Sequence, residues 1–453
     1  MSLNKKNNFN IRRAILNNKV ASKILKNSSW IVSDKVLTML IGVFVTAILA
    51  RYFGPEQFGT FNYALSFVML FTAISTLGLE TLTVKSIVEK DYNEGTILCT
   101  SLVLRVLGGI VLTILATSII RILEPSDGNI HLLVLIMSSM MVIKSLEVIE
   151  YWIQAYQRAK ISSIVRIVSN LVSSGLKVIL ALTGGSLIQL SLIYMIDAII
   201  IGTGLIICYL KIREDKSKWQ FKFYYAKSIL SKSWYLILSG LMITLYMRVD
   251  QVMLGYMLSN KSEVGVYSAA VSIASMWYFV PLALITSFKP VIMSKKRENE
   301  ESYLKLVQLL YIIVAWMGIG FGVLILPFSK IIVSILFGSD YLEAASILSI
   351  SIWAGTFAML GSARSIWLLC EGKQKYTLVY TSLGFIVNLV LNYLLIPQLG
   401  GHGAAVATLS AQFSANVLGL AFFKETRVST IMILKALSPK ELFRAIKFHN
   451  RKL

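Results

Sequence analysis

Cysteine and histidine are nearly absent from this 453-residue chain, with three of each. Cys99, Cys208 and Cys370 lie far apart, in or beside apolar runs. That scatter gives neither a disulfide framework nor metal-ligand spacing. His131, His402 and His449 are equally dispersed, which argues against a zinc site. Charge is scarce too, at 15% of residues, against ~25% in an ordinary soluble domain. There is no P-loop, no dinucleotide glycine fingerprint and no G-x-S-x-G elbow. Gly184-Gly185 and Gly400-Gly401 read as short turns rather than phosphate cradles. The chain therefore reads as a non-enzyme with no cofactor and no metal.

Apolar sequence is what the chain has in abundance. Runs lie near 28–50, 60–83, 97–123, 130–155, 163–183, 187–210, 233–257, 264–288, 303–326, 341–370, 374–397 and 402–423. Crossing a bilayer takes roughly 20 such residues, so the expected fold is an all-α polytopic membrane protein of about twelve spans. The piece 328–337 is too short to cross and suits an interfacial or re-entrant position. The first run carries Asp34 and Lys35 and lacks a small-residue cleavage site, so it reads as a retained span.

The net charge of +21 would suggest nucleic acid in a soluble protein. Here the bases cluster between alternate runs. With the N-terminus inside, 34 Lys and Arg fall on inner segments, while the outer segments hold only Arg51, Arg121, Lys261 and Lys330. Cytoplasmic loops are enriched in such residues. The bias predicts both termini in the cytoplasm and no nucleic-acid partner.

Residues 211–232 form a long basic inner segment that divides the chain. The expected organisation is a basic N-terminal segment (1–27), a first lobe (28–210), the linker (211–232), a second lobe (233–423) and a basic tail (424–453). The halves echo each other: Ser29-Trp30 opens the first and Ser233-Trp234 the second, and Phe58-Gly59-Thr60-Phe61 is matched by Val264-Gly265-Val266-Tyr267. Repeated halves place a substrate site at their interface, near mid-membrane. In the tail, Ser438, Pro439 and Glu441 suit a helix start. Leu442, Phe443 and Ile446 there oppose Lys440, Arg444 and Lys447, a pattern that suits anionic membrane lipid.

Charges inside the apolar runs are the candidate functional residues, since each costs a few kcal/mol at membrane depth unless it faces water or a partner. Arg166, Asn170, Ser173 and Lys177 make one polar stripe on span 5. Lys144 and Glu147 on span 4 are spaced to pair, with Glu150 beside them. Arg248 and Asp250 on span 7 point to different faces. Arg105 and Arg364 lie deep in spans 3 and 10, and Asp197 on span 6 is placed to meet Lys177. Arg248, Arg364, Lys144, Lys177 and Arg105 are the candidate anion-binding residues. Asp34, Asp250, Asp197 and Glu147 are candidates for coupling to a proton or sodium ion.

Three stretches carry a resemblance: SSWIVSDKV…AILARYFGPEQFGTFNYALSF, MRVDQVMLGYMLSNKSEVGVYSAA and GGHGAAVATLSAQF. Together they resemble bacterial polysaccharide (O-antigen type) flippases of the multidrug/oligosaccharidyl-lipid/polysaccharide exporter superfamily. The resemblance implies two six-helix lobes around a central cavity that opens alternately to each side. It implies transport of undecaprenyl-pyrophosphate-linked oligosaccharide repeat units across the bacterial cytoplasmic membrane for surface polysaccharide biosynthesis, alongside other polysaccharide assembly proteins. An ion-coupled drug or metabolite exporter of the same superfamily is the alternative. An integral membrane glycan polymerase or acyltransferase fits less well, because the outer loops are short.

Overall fold

A computed structural model describes residues 19–213 and 217–450. Expectations placed on residues 1–18, and on the side chains of Ile446 and Lys447, lie outside the described residues. Among those described there is no strand. Ten helices are long and apolar enough to cross a membrane. Two of these each make two crossings. The helix Lys19–Ser75 has 57 residues, about 85 Å at 1.5 Å per residue, far more than a ~30 Å hydrocarbon core. It breaks at Gly54, where φ is 71°, and Pro55 opens the second arm. The helix Lys375–Phe413 breaks at Gly400, where φ is 51°. Both values are in the left-handed region that glycine adopts without steric cost. Near the first break Tyr341 donates to the Ala50 carbonyl at 2.9 Å. Gln154 donates to Glu80 at the other end of the lobe, so the chain has reversed in between.

Twelve spans result. Span 1 is residues 19–53 and span 2 residues 55–75. Spans 3 to 6 are Glu94–Leu123, Gly128–Ala155, Ala159–Thr183 and Leu187–Ile212. Spans 7 to 9 are Phe223–Met257, Ser262–Glu298 and Glu300–Ile325, and span 10 is Ala344–Cys370. Span 11 is residues 375–399 and span 12 residues 401–421. Residues 328–337 match a short helix, Ser329–Phe337. Span 7 begins ten residues before the apolar run does, so residues 223–232 are the basic start of a helix and the connecting loop is correspondingly short. The tail holds two helices, Arg427–Ala436 and Pro439–Asn450. In the second, Glu441 pairs with Arg444 at 2.6 Å.

Spans 1–6 and 7–12 form two lobes around a central cavity, and three apolar clusters show how they meet. One cluster joins both lobes, from Ala50, Phe58 and Tyr63 to Val264, Phe337 and Tyr341. The other two belong to single lobes and lie towards the basic loops: Leu98, Trp152 and Tyr209 in the first lobe, Tyr303, Trp367 and Tyr380 in the second. The start of span 7 is an exception to the division, since Tyr225 and Ile229 pack into the first-lobe cluster. The lobes are thus sealed at the end away from the basic loops. Arg51 donates there to the carbonyls of Leu336 (2.9 Å), Ser334 (3.1 Å) and Ile335, closing the C-terminus of the short helix Ser329–Phe337. Lys261 pairs with Glu124 across the lobes at 2.7 Å.

Spans 2 and 8 cross in this seal. A Cβ added to Gly265 would lie 2.1 Å from the Pro55 carbonyl oxygen, and one added to Gly59 would lie 1.8 Å from that of Lys261. Backbone fills both places. Gly255 is similarly tight against Tyr63, whereas Gly42 and Gly240 have open space. Gly265→Val is therefore expected to force the sealed end apart, at a cost of about 1–3 kcal/mol. Faster thiol labelling of a cysteine placed at Ala50, with a lower melting temperature in detergent, is the expected readout; unchanged labelling would count against the seal.

Candidate functional site

The first lobe contains a polar cavity of about 710 Å³ between spans 1, 4, 5 and 6. Arg166 on span 5 organises it. Its guanidinium bridges Glu147 and Glu150 on span 4, each at 2.9 Å. A planar fork with several donors is suited to holding two carboxylates at once. Asn170, one turn on, lines the same wall, and its buried Oδ1 has no hydrogen-bond partner among the described residues. Asp34 and Lys35 line the cavity from span 1, with Thr38 donating to Asp34 at 3.4 Å. Asp197 lines it from span 6 and accepts from Ser169 at 2.6 Å.

Two expected pairs do not form. Lys144 and Glu147 sit in a 3-10 turn, Lys144–Glu147, inside span 4. That winding stacks i over i+3, yet Glu147 goes to the guanidinium of Arg166 on the facing span instead. Asp197 does not meet Lys177; that ammonium lies 3.8 Å from the centre of the Tyr194 ring, a cation–π contact. The span 5 stripe therefore divides. Arg166 and Asn170 reach the cavity, whereas Ser173 is buried and bonds back to Asn170 at 3.4 Å. Ser162 and Ser163 extend the lining one turn earlier. They were readable as Ser162, Arg166 and Asn170 at i, i+4 and i+8. Thr38, four after Asp34, was readable in the same way.

The remaining cations are dispersed. Arg105 is buried in the first lobe with its guanidinium over Tyr151 at 5.6 Å. Arg364 is buried in the second lobe, donating to the Ala415 carbonyl at 3.0 Å and lying over Tyr380. That carbonyl belongs to a short π-helical turn, Ser414–Leu418, in span 12. Arg248 and Lys144 are half-buried and make no hydrogen bond or ion pair with the described residues. No single basic pocket gathers the five candidate anion-binding residues.

Asp250 anchors a second polar group, in the second lobe. It is 5% exposed and accepts from Tyr267 (2.8 Å), Asn392 (2.8 Å) and Thr408 (2.5 Å). Asn392 also bonds Asn388 at 3.0 Å, and Thr408 bonds the Ala404 carbonyl at 3.0 Å. No basic side chain pairs with Asp250 among the described residues. The Asn392 Oδ1 has no partner. A buried carboxylate, two amide oxygens, a hydroxyl and a carbonyl are the ligand types of a hard monovalent or divalent cation. Asn388 and Asn392 were legible as two amides four apart within an apolar run.

Comparison with known proteins follows the same outline. Residues 24–296 match the model of a family described as polysaccharide biosynthesis protein, and residues 236–394 match one described as MatE. Over 215 residues the chain is 27% identical to Agl15 of Haloferax volcanii, described as a probable low-salt glycan biosynthesis flippase. That match covers 45% of this chain and 43% of Agl15. The lipid II flippase MurJ, in an inward closed conformation, has the same fold with a TM-score of 0.69 at 16% identity, over 89% of this chain and 90% of MurJ. An inward-facing multidrug resistance MATE transporter gives 0.67 at 15%, over 88% and 96%.

Arg166→Ala leaves Glu147 and Glu150 facing each other in a half-buried place. Breaking such a group is expected to cost about 1–3 kcal/mol, discounted for its partial exposure. Melting curves in detergent should show the loss, and adding Glu150→Gln to the same chain should restore part of it.

Proposed function

The chain belongs to the polysaccharide biosynthesis protein family, and from that membership and the geometry we propose that it is a flippase. Its cargo is an undecaprenyl-pyrophosphate-linked oligosaccharide repeat unit, turned from the inner to the outer leaflet of the cytoplasmic membrane. Both termini and the basic loops face the cytoplasm, in line with the bias of Lys and Arg. The sealed end then faces outward, and the lobes open and close alternately.

One observation carries this reading. Span 1 separates two compartments of opposite character. Met39 lines the polar cavity, while Leu40, the next residue, lines an apolar groove of about 600 Å³ against spans 8 and 9. Trp277, Trp316 and Phe321 form much of that groove. A cargo with a polar glycan and a polyprenyl tail needs two such places side by side. Dragging the polar part through hydrocarbon costs several kcal/mol per unsatisfied group. The cavity replaces those hydrogen bonds, while the tail stays among apolar side chains. Arg248, whose guanidinium makes no hydrogen bond or ion pair among the described residues, is the residue assigned to the pyrophosphate.

The Asp250 group supplies the coupling. A proton or sodium ion neutralises a buried carboxylate, and its binding differs between two arrangements of spans 7, 8, 11 and 12. The second reading is an ion-coupled exporter of organic cations, favoured by the acids in the first-lobe cavity and by the MatE match.

The deciding experiment is genetic and chemical. Deletion is expected to accumulate the lipid-linked repeat unit on the inner leaflet, and the wild-type chain to restore its movement. Export of a cationic dye with no effect on the repeat unit would select the second reading. Arg248→Ala is expected to lower flipping at least tenfold in a stable protein, and Arg248→Lys to recover little, because the planar fork is lost. Arg364→Ala is expected to lower the melting temperature instead. Asp250→Asn is expected to remove the dependence of transport on the ion gradient; a retained dependence would place the coupling elsewhere.

A further inference from the structure

The first-lobe cavity has a polarity of its own, and it is not that of the net charge. Its lining carries three carboxylates, Asp34, Glu150 and Asp197, with Glu147 behind Arg166. Among the described residues its cations are Arg166 and Lys35. Arg166 is already occupied by both glutamates. Lys35 is exposed and sits on a flexible stem. The unfilled capacity of the wall is therefore for donors. Asp34 receives one long hydrogen bond, at 3.4 Å. The Asn170 Oδ1 is buried and receives none from the described residues. Ser162 and Ser163 add hydroxyls that can bond in either sense.

From this lining we infer that the cavity selects the glycan by charge: it accepts neutral or amine-bearing sugars and rejects sugars with carboxylates. The inference rests on the flippase reading above and deepens it. Sugar hydroxyls and ammonium groups donate to Asp34, Glu150, Asp197 and Asn170, which are otherwise short of donors. A hexuronate would set carboxylate against carboxylate where solvent is partly excluded, and like charges there repel. Rejection works through misplaced acceptors as much as through affinity for the right cargo. Pyrophosphate recognition is left to Arg248, on the other lobe, so an anionic carrier and a non-anionic glycan are read separately.

The test uses the full chain in proteoliposomes and three short-chain polyprenyl pyrophosphates. One carries a neutral trisaccharide, one a trisaccharide with a free amine, and one a trisaccharide ending in a hexuronate. Movement is read by access of an added glycosidase to the outer leaflet. The neutral and amine forms are expected to move at least tenfold faster than the acidic form, which is about 1.4 kcal/mol. Asp34→Asn should narrow that ratio, and Asp34→Lys should narrow it further. Both variants are also followed by melting temperature, so that unfolding is distinguished from altered selectivity. Equal rates for all three cargoes in the wild type would overturn charge selection and leave the flippase reading standing. A ratio unmoved in both folded Asp34 variants would also overturn it. No movement of any cargo, in a chain that still melts cooperatively, would overturn the flippase reading and this inference with it.

Discussion

The crossing of spans 2 and 8 fixes the distances on which the rest depends. Only hydrogen occupies the Cα faces of Gly59 and Gly265, and backbone carbonyls fill the space a side chain would need. Within a membrane, lipid is as apolar as leucine, so close backbone contact and hydrogen bonds hold helices together rather than hydrophobic burial. Two lobes pinned at one end by such a contact diverge towards the other. The Arg51 cap on the helix Ser329–Phe337 and the Lys261–Glu124 pair add polar closure beside the pin. Arg51 uses a carbonyl-rich helix C-terminus, where orphan acceptors and the helix dipole both favour a cation. Without Arg51 those carbonyls would be left without a donor.

Charges inside the lobes follow a different logic. Arg105, Arg364 and Lys177 each lie over an aromatic ring. Arg166 is shared by two glutamates, whereas Asp250 is satisfied by neutral donors alone. An aromatic face or a neutral donor lessens the cost of a buried charge without cancelling it. The ring-bound cations and the Arg166 group act within one lobe and hold helices in fixed arrangements. Asp250 is the exception, a buried acid without a counter-ion among the described residues.

Much of the architecture was legible in the sequence because lipid imposes it. Apolar length, basic alternation and the glycine echoes between halves follow from one-dimensional rules, and the spans lie where the runs do. Gly54 and Gly400 mark reversals with the same φ requirement in each half. Pairings were less legible. Arg166 was readable as a polar position, but its capture of Glu147, which spacing had given to Lys144, depended on the packing of span 5 on span 4. Lys177 chose a tyrosine over Asp197 for the same reason: the partner is set by interhelical geometry. Asn388 and Asn392 carry no formal charge, yet a buried amide has the same need for partners as a buried ion.

The charge balance of the whole chain and that of its cavity have opposite causes. The bases gathered between alternate spans lie mostly in polar segments, where charge costs little. Bases inside the lobes do cost, so most of them are consumed by rings, carbonyls and glutamates. What remains facing the cavity is set by the acids that Arg166 and Ser169 hold in place. Arg248 on the second lobe and Asp34 on the first stay outside the ion pairs of the described residues, because helix packing satisfies a charge at membrane depth only where a ring, a carbonyl or an opposite charge falls within reach.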